Sequence, residues 1–303
     1  MQYCMYDLYI SVQLLRKTGC KLPVEIWHLG DLNADLKDLF SSFKDVNIMN
    51  LVTYDSYITN LRINSTQILN FKASVLIHTS YQNILFLDPK VRVLHDPTIL
   101  FESAPFLKTG LVFWKDLYKT PIENPIWHIL GVPCTDEFET APNYFMIRKS
   151  DTQMYKSLYL ANYFQRNLEM YDRFLNENDA FRYAWKQFKN LYHIVEPNPG
   201  LLLSDTECGV GVVHFMPFVV SMKTPYPLFL HSFNDSENHL SDQLTYSKIM
   251  HYSRWVEPDS SIVSSSCIRF SNKSKLDLTD FNERFPKYTN LAIRIENDFL
   301  KGK

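Results

Sequence analysis

Cysteine is scarce and scattered. Cys4, Cys20, Cys134, Cys208 and Cys267 are the only five in 303 residues, and no pair has the C-x-x-C or Cys/His spacing of a zinc site. A structural zinc is therefore not expected, and the odd count leaves at least one thiol over if the others pair. Long apolar runs are missing as well. The longest, such as Tyr9 to Leu15, are interrupted and far short of the roughly 20 residues a membrane-spanning helix needs. The first residues also lack the charged, apolar and small-residue order of a signal peptide. No basic run appears, and a formal charge of −2 argues against a nucleic-acid partner. A Gly-rich phosphate loop, a G-x-S-x-G elbow and an H-E-x-x-H helix are all absent, so kinase, hydrolase and zinc-protease chemistries gain no support.

What is present is enough apolar material for a sizeable core. Apolar residues make up 46% of the chain, aromatics 15% and charged residues 21%, a composition too apolar for disorder. Segments of helical and strand period alternate over the first two-thirds, which predicts an α/β domain with a mostly parallel central sheet flanked by helices. Helices are expected near 8–16, 31–43 (capped by Asp31), 71–79, 154–165 and 178–188. Strands are expected near 22–28, 46–51, 83–88, 110–114, 143–148, 210–215 and 227–231. Beyond Ser232 the chain turns polar and Ser-rich. This divides it into an α/β domain over 1–231 and a C-terminal extension over 232–303 that packs on the same domain. Sequons at Asn64, Asn234 and Asn272 would accept glycans in a secretory lumen.

Several residues carry chemistry. Asp88 closes the apolar run Ile84 to Leu87, and open α/β sheets bind ligands beyond the carboxyl ends of their strands; equally, Asp88-Pro89 is a common turn opener. His231 follows the apolar run Pro227 to Leu230 and suits a metal or phosphate contact, or an ordinary partly buried place. Asp179, at the start of a helix, reads as a cap or as a carboxylate near a reacting sugar. Trp114 and Trp127 have the apolar body and polar tip that stack on sugar rings, although such residues commonly belong to the core. His214, between bulky apolar neighbours, is expected to pack and hydrogen-bond.

Taken together, several stretches resemble the fungal α-mannosyltransferases that extend and branch mannan, the α-1,2/α-1,3-mannosyltransferase family. They are Leu22 to Asp31, Lys72 to Ile77, Ile84 to Asp88, Asp96 to Ser103, Thr109 to Asp116, Asn124 to Gly131, Asn178 to Trp185 and Pro227 to His231. The resemblance implies a GT-A-like nucleotide-sugar-binding domain, retaining transfer of mannose from GDP-mannose to an oligomannoside acceptor, a Mn²⁺ ion and the Golgi lumen. By the same resemblance Asp88 and His231 hold the metal. Asp88, Lys90, Trp114 and Asp116 line the donor site, and Asp179 is the catalytic acid.

Four departures from the family pattern temper this. Asp-x-Asp becomes Asp88-Pro89-Lys90, which removes one carboxylate and adds an ammonium that either takes over part of the metal's charge or repels it. Glu139 to Asn143 reads Glu-Thr-Ala-Pro-Asn where the family has Glu-Ser-Gly-Gln. Asn176 to Asp179 keeps only the last acid of Gly-Asp-Lys-Asp. The family's first strand is missing ahead of the helix near Tyr6, the pattern expected of a truncated product. The alternative reading is a degenerate, non-catalytic relative that binds a glycan or a partner enzyme through the same cleft.

Overall fold

A computed structural model describes residues 2–30, 32, 34–59, 71–171, 175, 179–203, 209–217, 227–232, 248–251, 277–280 and 294–295. The expected cap Asp31, the residues Asn176 to Asn178, the three sequons and most of the C-terminal extension lie outside them. Helix α1 (Gln2–Lys17) leads to β1 (Val24–His28), α2 (Ala34–Ser41), β2 (Val46–Asn50), α3 (Ser56–Thr59), α4 (Lys72–His78) and β3 (Asn83–Leu87). Then come β4 (Val91–Val93), α5 (Ala104–Thr109), β5 (Leu111–Lys119), α6 (Ile126–Ile129) and β6 (Phe138–Arg148). Helices α7 (Thr152–Arg166), α8 (Leu168–Tyr171) and α9 (Ala180–Gln187) precede β7 (His193–Ile194), β8 (Gly200–Leu203), β9 (Gly209–Phe215), β10 (Pro227–Ser232), β11 (Lys248–His251) and β12 (Asp277–Asp280).

The α/β class is as expected, with the sheet β3-β6-β5-β7 at its centre. Its strands read as continuous apolar runs because both faces are covered. The period of two sends Ile84, Phe86, Leu111, Phe113, Phe145 and Ile147 to one side, against α4, α6, α7 and α9. On the other side Leu85, Leu87, Val112, Trp114, Tyr144 and Met146 meet α1, β4 and β10. Residue Gly110 at the end of α5 sits at φ 69°, where a side chain is strained, and turns the chain from helix into β5.

The expectation of a mostly parallel sheet is corrected. Strand β1 pairs with β2 and β5 with β7 in parallel, but β3–β6, β5–β6 and every ladder of β12-β11-β8-β9-β10-β4 are antiparallel. A strand buried on both faces has the same apolar pattern in either direction, so the pattern cannot report direction. Strand β11 pairs with both β8 and β12 and so ties residues 248–251 to the six-stranded sheet. Among the described residues no helix is long and apolar enough to cross a membrane.

Candidate functional site

The chain leaves β3 and reverses at once into β4 through Asp88, Pro89 and Lys90. The Val91 N–H donates to the Asp88 carbonyl at 2.9 Å, which closes a four-residue turn with Pro at its second position, where the ring's fixed φ is wanted. The Asp88 N–H donates to the Asn143 carbonyl at 2.7 Å, and the Asp88 carboxylate accepts the Lys90 N–H at 3.1 Å. The dipeptide therefore opens a turn, and that turn follows the carboxyl end of β3.

A clamp from α1 fixes the turn, and the sequence reading missed it. Arg92, 4% exposed, ion-pairs with the buried Asp7 carboxylate. Its Nη1 also donates to the Pro89 carbonyl at 3.0 Å and to Ser11 Oγ at 2.5 Å, while the Ser11 hydroxyl lies 2.6 Å from the Pro89 carbonyl oxygen and 2.7 Å from that of Val91. An arginine set between two valines in a buried strand was the available signal, since such a charge stays buried only when paired.

The opposite wall comes from β10, whose His231 stands across from Val91 in the antiparallel ladder. Loss of solvent pushes the His231 imidazole down to about 4. Asp88 opposes this shift, and Lys90, Arg92 and Lys72 reinforce it. Asp88 and Lys90 thus share one neighbourhood with His231, which is far from them in sequence.

A second polar group lies under β5. His214 Nε2 is 2.5 Å from the Lys115 carbonyl oxygen, which can only accept, so Nε2 carries the proton and Nδ1 accepts from the Tyr144 hydroxyl. Burial pushes His214 down to about 4, as befits the packing role expected of it. Asp116 accepts the Leu117 N–H at 2.6 Å, and loss of solvent, with Glu139 and Asp179 nearby, pushes its carboxyl up to about 7. Asp116 therefore holds its proton at neutral pH more firmly than an ordinary carboxyl.

Two expected site residues have other partners. Trp114 is 0% exposed, donates its indole N–H to the Phe215 carbonyl at 2.8 Å and meets Tyr144 and Phe229 edge-on. Of the two places open to it from sequence, a sugar-stacking wall or the core, the ring takes the core. Asp179 is 1% exposed and makes no capping hydrogen bond to α9. Instead its carboxylate accepts from the Thr140 N–H and hydroxyl, both at 2.9 Å, and from Arg182 at 3.1 and 2.5 Å. The Arg182 guanidinium, itself fully buried, reaches Thr120 at 2.8 Å and Glu137 at 3.5 Å. A helix cap or a carboxylate facing a cleft was expected; the structure has a buried ion pair tying the start of α9 to Thr120, just past β5, and to Thr140 of β6.

The donor set at the turn is a poor match for a resident divalent cation. Mn²⁺ and Mg²⁺ sites favour hard oxygen ligands, usually more than one carboxylate or a carboxylate with substrate phosphates. Here one carboxylate already accepts a backbone N–H, the imidazole belongs to the facing strand β10, and the charges of Lys90, Arg92 and Lys72 all disfavour a further positive charge on it. Among the described residues no three His, Cys, Asp or Glu side chains are grouped to hold a metal. The expected Mn²⁺ does not fit these residues.

A family model described as "Mannosyltransferase putative" matches residues 3–180, more than half of the chain, and the match contains the whole clamp and turn. The chain belongs to this mannosyltransferase family. Curated relatives from Candida albicans agree. The α-1,2-mannosyltransferase MNN21 is 26% identical over 140 residues, which are 43% of this chain and 21% of the relative. The α-1,2-mannosyltransferase MNN22 is 29% identical over 136 residues, 41% of this chain and 22% of the relative. The matched stretch thus spans about a fifth of the length of these relatives. Among solved structures, the galactosyltransferase LgtC in complex with donor and acceptor sugar analogues superposes with a TM-score of 0.44 at 14% identity, covering 63% of this chain and 69% of its own. Mouse xyloside xylosyltransferase 1 superposes with a TM-score of 0.43 at 10% identity, covering 64% and 80%.

Proposed function

We propose that this mannosyltransferase-family chain transfers mannose from GDP-mannose to a mannoside acceptor with retention of anomeric configuration. The observation that carries the reading is the convergence of the clamped Asp88 turn, inside the family-matched residues 3–180, with His231 of β10, which lies beyond them. In the proposed reaction the bond from the sugar's anomeric carbon to the diphosphate oxygen breaks, and its electron pair leaves with GDP. The acceptor hydroxyl oxygen forms the new bond and passes its proton to the departing diphosphate oxygen. Such chemistry depends mainly on stabilising the leaving group's charge and on holding two substrates in line.

The residues divide the work accordingly. Asp88, Lys90 and His231 frame the place of the diphosphate. Asp116, with its retained proton, donates to a sugar hydroxyl. Asp179 acts at one remove: through Thr140 and Arg182 it holds the end of β6 beside Asp116. Trp114 supports the floor from within the core.

The test is incubation with GDP-mannose and an α-mannoside, with the product read by mass spectrometry and its anomeric configuration by proton NMR. An α-linked product that disappears in Asp88→Asn supports the reading. A folded sample that neither binds GDP-mannose nor transfers from it refutes it and leaves the non-catalytic, glycan-binding reading in its place.

A further inference from the structure

The ladder between β5 and β6 loses its register just before Asp116. Phe113 faces Phe145 and Lys115 faces Thr140, so Trp114 alone on β5 stands against the stretch 141–144 of β6. This irregular stretch borders both ends of the proposed site. On one edge Leu87 of β3 pairs with Tyr144, and the Asp88 N–H donates to the Asn143 carbonyl at 2.7 Å. On the other edge lie Lys115 and Asp116. A break of this kind re-aims side chains, and the displaced backbone groups need partners from outside the ladder.

Strand β9 supplies such partners. Adjacent residues of the two strands bond crosswise: Trp114 donates its indole N–H to the Phe215 carbonyl at 2.8 Å, and His214 Nε2 donates to the Lys115 carbonyl at 2.5 Å. The other nitrogen of the same ring, Nδ1, accepts from the Tyr144 hydroxyl. One imidazole, 2% exposed, thus joins β5 beside Asp116 to β6 beside Asn143. Both contacts need a single tautomer, with the proton on Nε2. The Asp88 turn has its own hold on α1, through Arg92 and Ser11 at the Pro89 carbonyl.

We propose that His214 is a positioning residue for mannosyl transfer: through the Lys115 carbonyl and the Tyr144 hydroxyl it sets Asp116, at the sugar, against the Asp88 turn, at the diphosphate. The proposal rests on the donor reading above and deepens it. Transfer needs the sugar and its leaving group held in line, and a misplacement of about 1 Å can cost roughly 100-fold in rate. Because the Asp88 turn keeps its clamp to α1, loss of His214 frees the sugar end of the site and leaves the diphosphate end in place.

Steady-state transfer from GDP-mannose, set beside calorimetric titration of GDP, tests this in the full chain. The GDP stoichiometry gives the folded fraction, to which each rate is normalised. In His214→Leu the expected result is a kcat lower by roughly 10- to 100-fold, with the affinity for GDP unchanged. His214→Gln, whose amide can donate to the Lys115 carbonyl and accept from Tyr144, recovers most of the lost rate. Tyr144→Phe removes one of the two contacts and falls between. Adding His214→Leu to Asp116→Ala lowers the rate by less than about 2-fold more, because a residue that acts through Asp116 has nothing left to place. A normalised kcat of His214→Leu equal to that of the wild type overturns the proposal, as does a loss that multiplies in full with that of Asp116→Ala. A fall in GDP affinity as large as the fall in kcat also overturns it, since His214 then only holds the fold together. Where His214→Leu does not fold, Tyr144→Phe decides, and wild-type kcat in that variant overturns the proposal. A folded wild type that neither binds GDP-mannose nor transfers from it removes the donor reading and the proposal together.

Discussion

Removing the Asp179 carboxylate distinguishes a structural ion pair from a substrate-facing acid. In the wild type the Arg182 side chain is 0% exposed and that of Asp179 2%. Asp179→Ala leaves a buried guanidinium with Thr120 at 2.8 Å and a distant Glu137 at 3.5 Å, itself occupied by Lys186 at 3.0 Å and Tyr192 at 2.6 Å. An uncompensated buried charge costs about 3 to 5 kcal/mol, and the freed Thr140 N–H adds to this. The double variant Asp179→Ala with Arg182→Met removes both charges and recovers most of the loss, because an apolar pair of similar volume is often no worse than the ion pair. Urea denaturation followed by circular dichroism gives both values. A loss below about 1 kcal/mol in the single variant refutes the structural role of the Asp179–Arg182 pair. A double variant no more stable than the single refutes it as well. If the double variant is stable and binds GDP-mannose but transfers nothing, the Asp179 carboxylate touches substrate after all.

The two perturbed groups, Asp116 of β5 and His214 of β9, act in opposite directions with pH. Asp116 is raised from 3.8 to about 7, so its contribution to stability is complete below 3.8 and is lost as pH rises through about 7. Asp116→Asn therefore gains on the wild type across that interval by up to ~4 kcal/mol, read from urea midpoints at several pH values. His214 is lowered from 6.5 to about 4; its contribution is complete above 6.5 and is lost as pH falls through about 4, a loss that His214→Gln does not share. In the core, Trp114→Phe keeps most of the packing but leaves the Phe215 carbonyl without its indole donor, for a loss of about 1 to 3 kcal/mol. Gly110→Ala forces a side chain into φ 69° with its Cβ 3.4 Å from Arg148 Cβ and lowers stability by about 1 kcal/mol or more, measurable as a fall in Tm.

Local pattern alone determined the central strands and the longer helices, whereas β4, β7, β8, β11 and β12 were not read from it. The runs Leu111 to Trp114 and Tyr144 to Ile147 declared buried strands because apolar residues on both faces leave no other place for them. Asp88 declared a turn at a strand's end because Asp-Pro seldom does anything else. Strand direction, by contrast, leaves no trace in an all-apolar run, which is why antiparallel ladders appeared where parallel ones were expected. Long-range partners were equally silent. Asp179 looks like a helix cap from its neighbours, yet its carboxylate is taken by Thr140, 39 positions away. Arg92 looks isolated until Asp7, 85 positions away, meets it. His231 acquires meaning only from the register that sets it against Val91. A charge buried away from water must be satisfied by whatever the fold brings near, and that choice is made by tertiary packing.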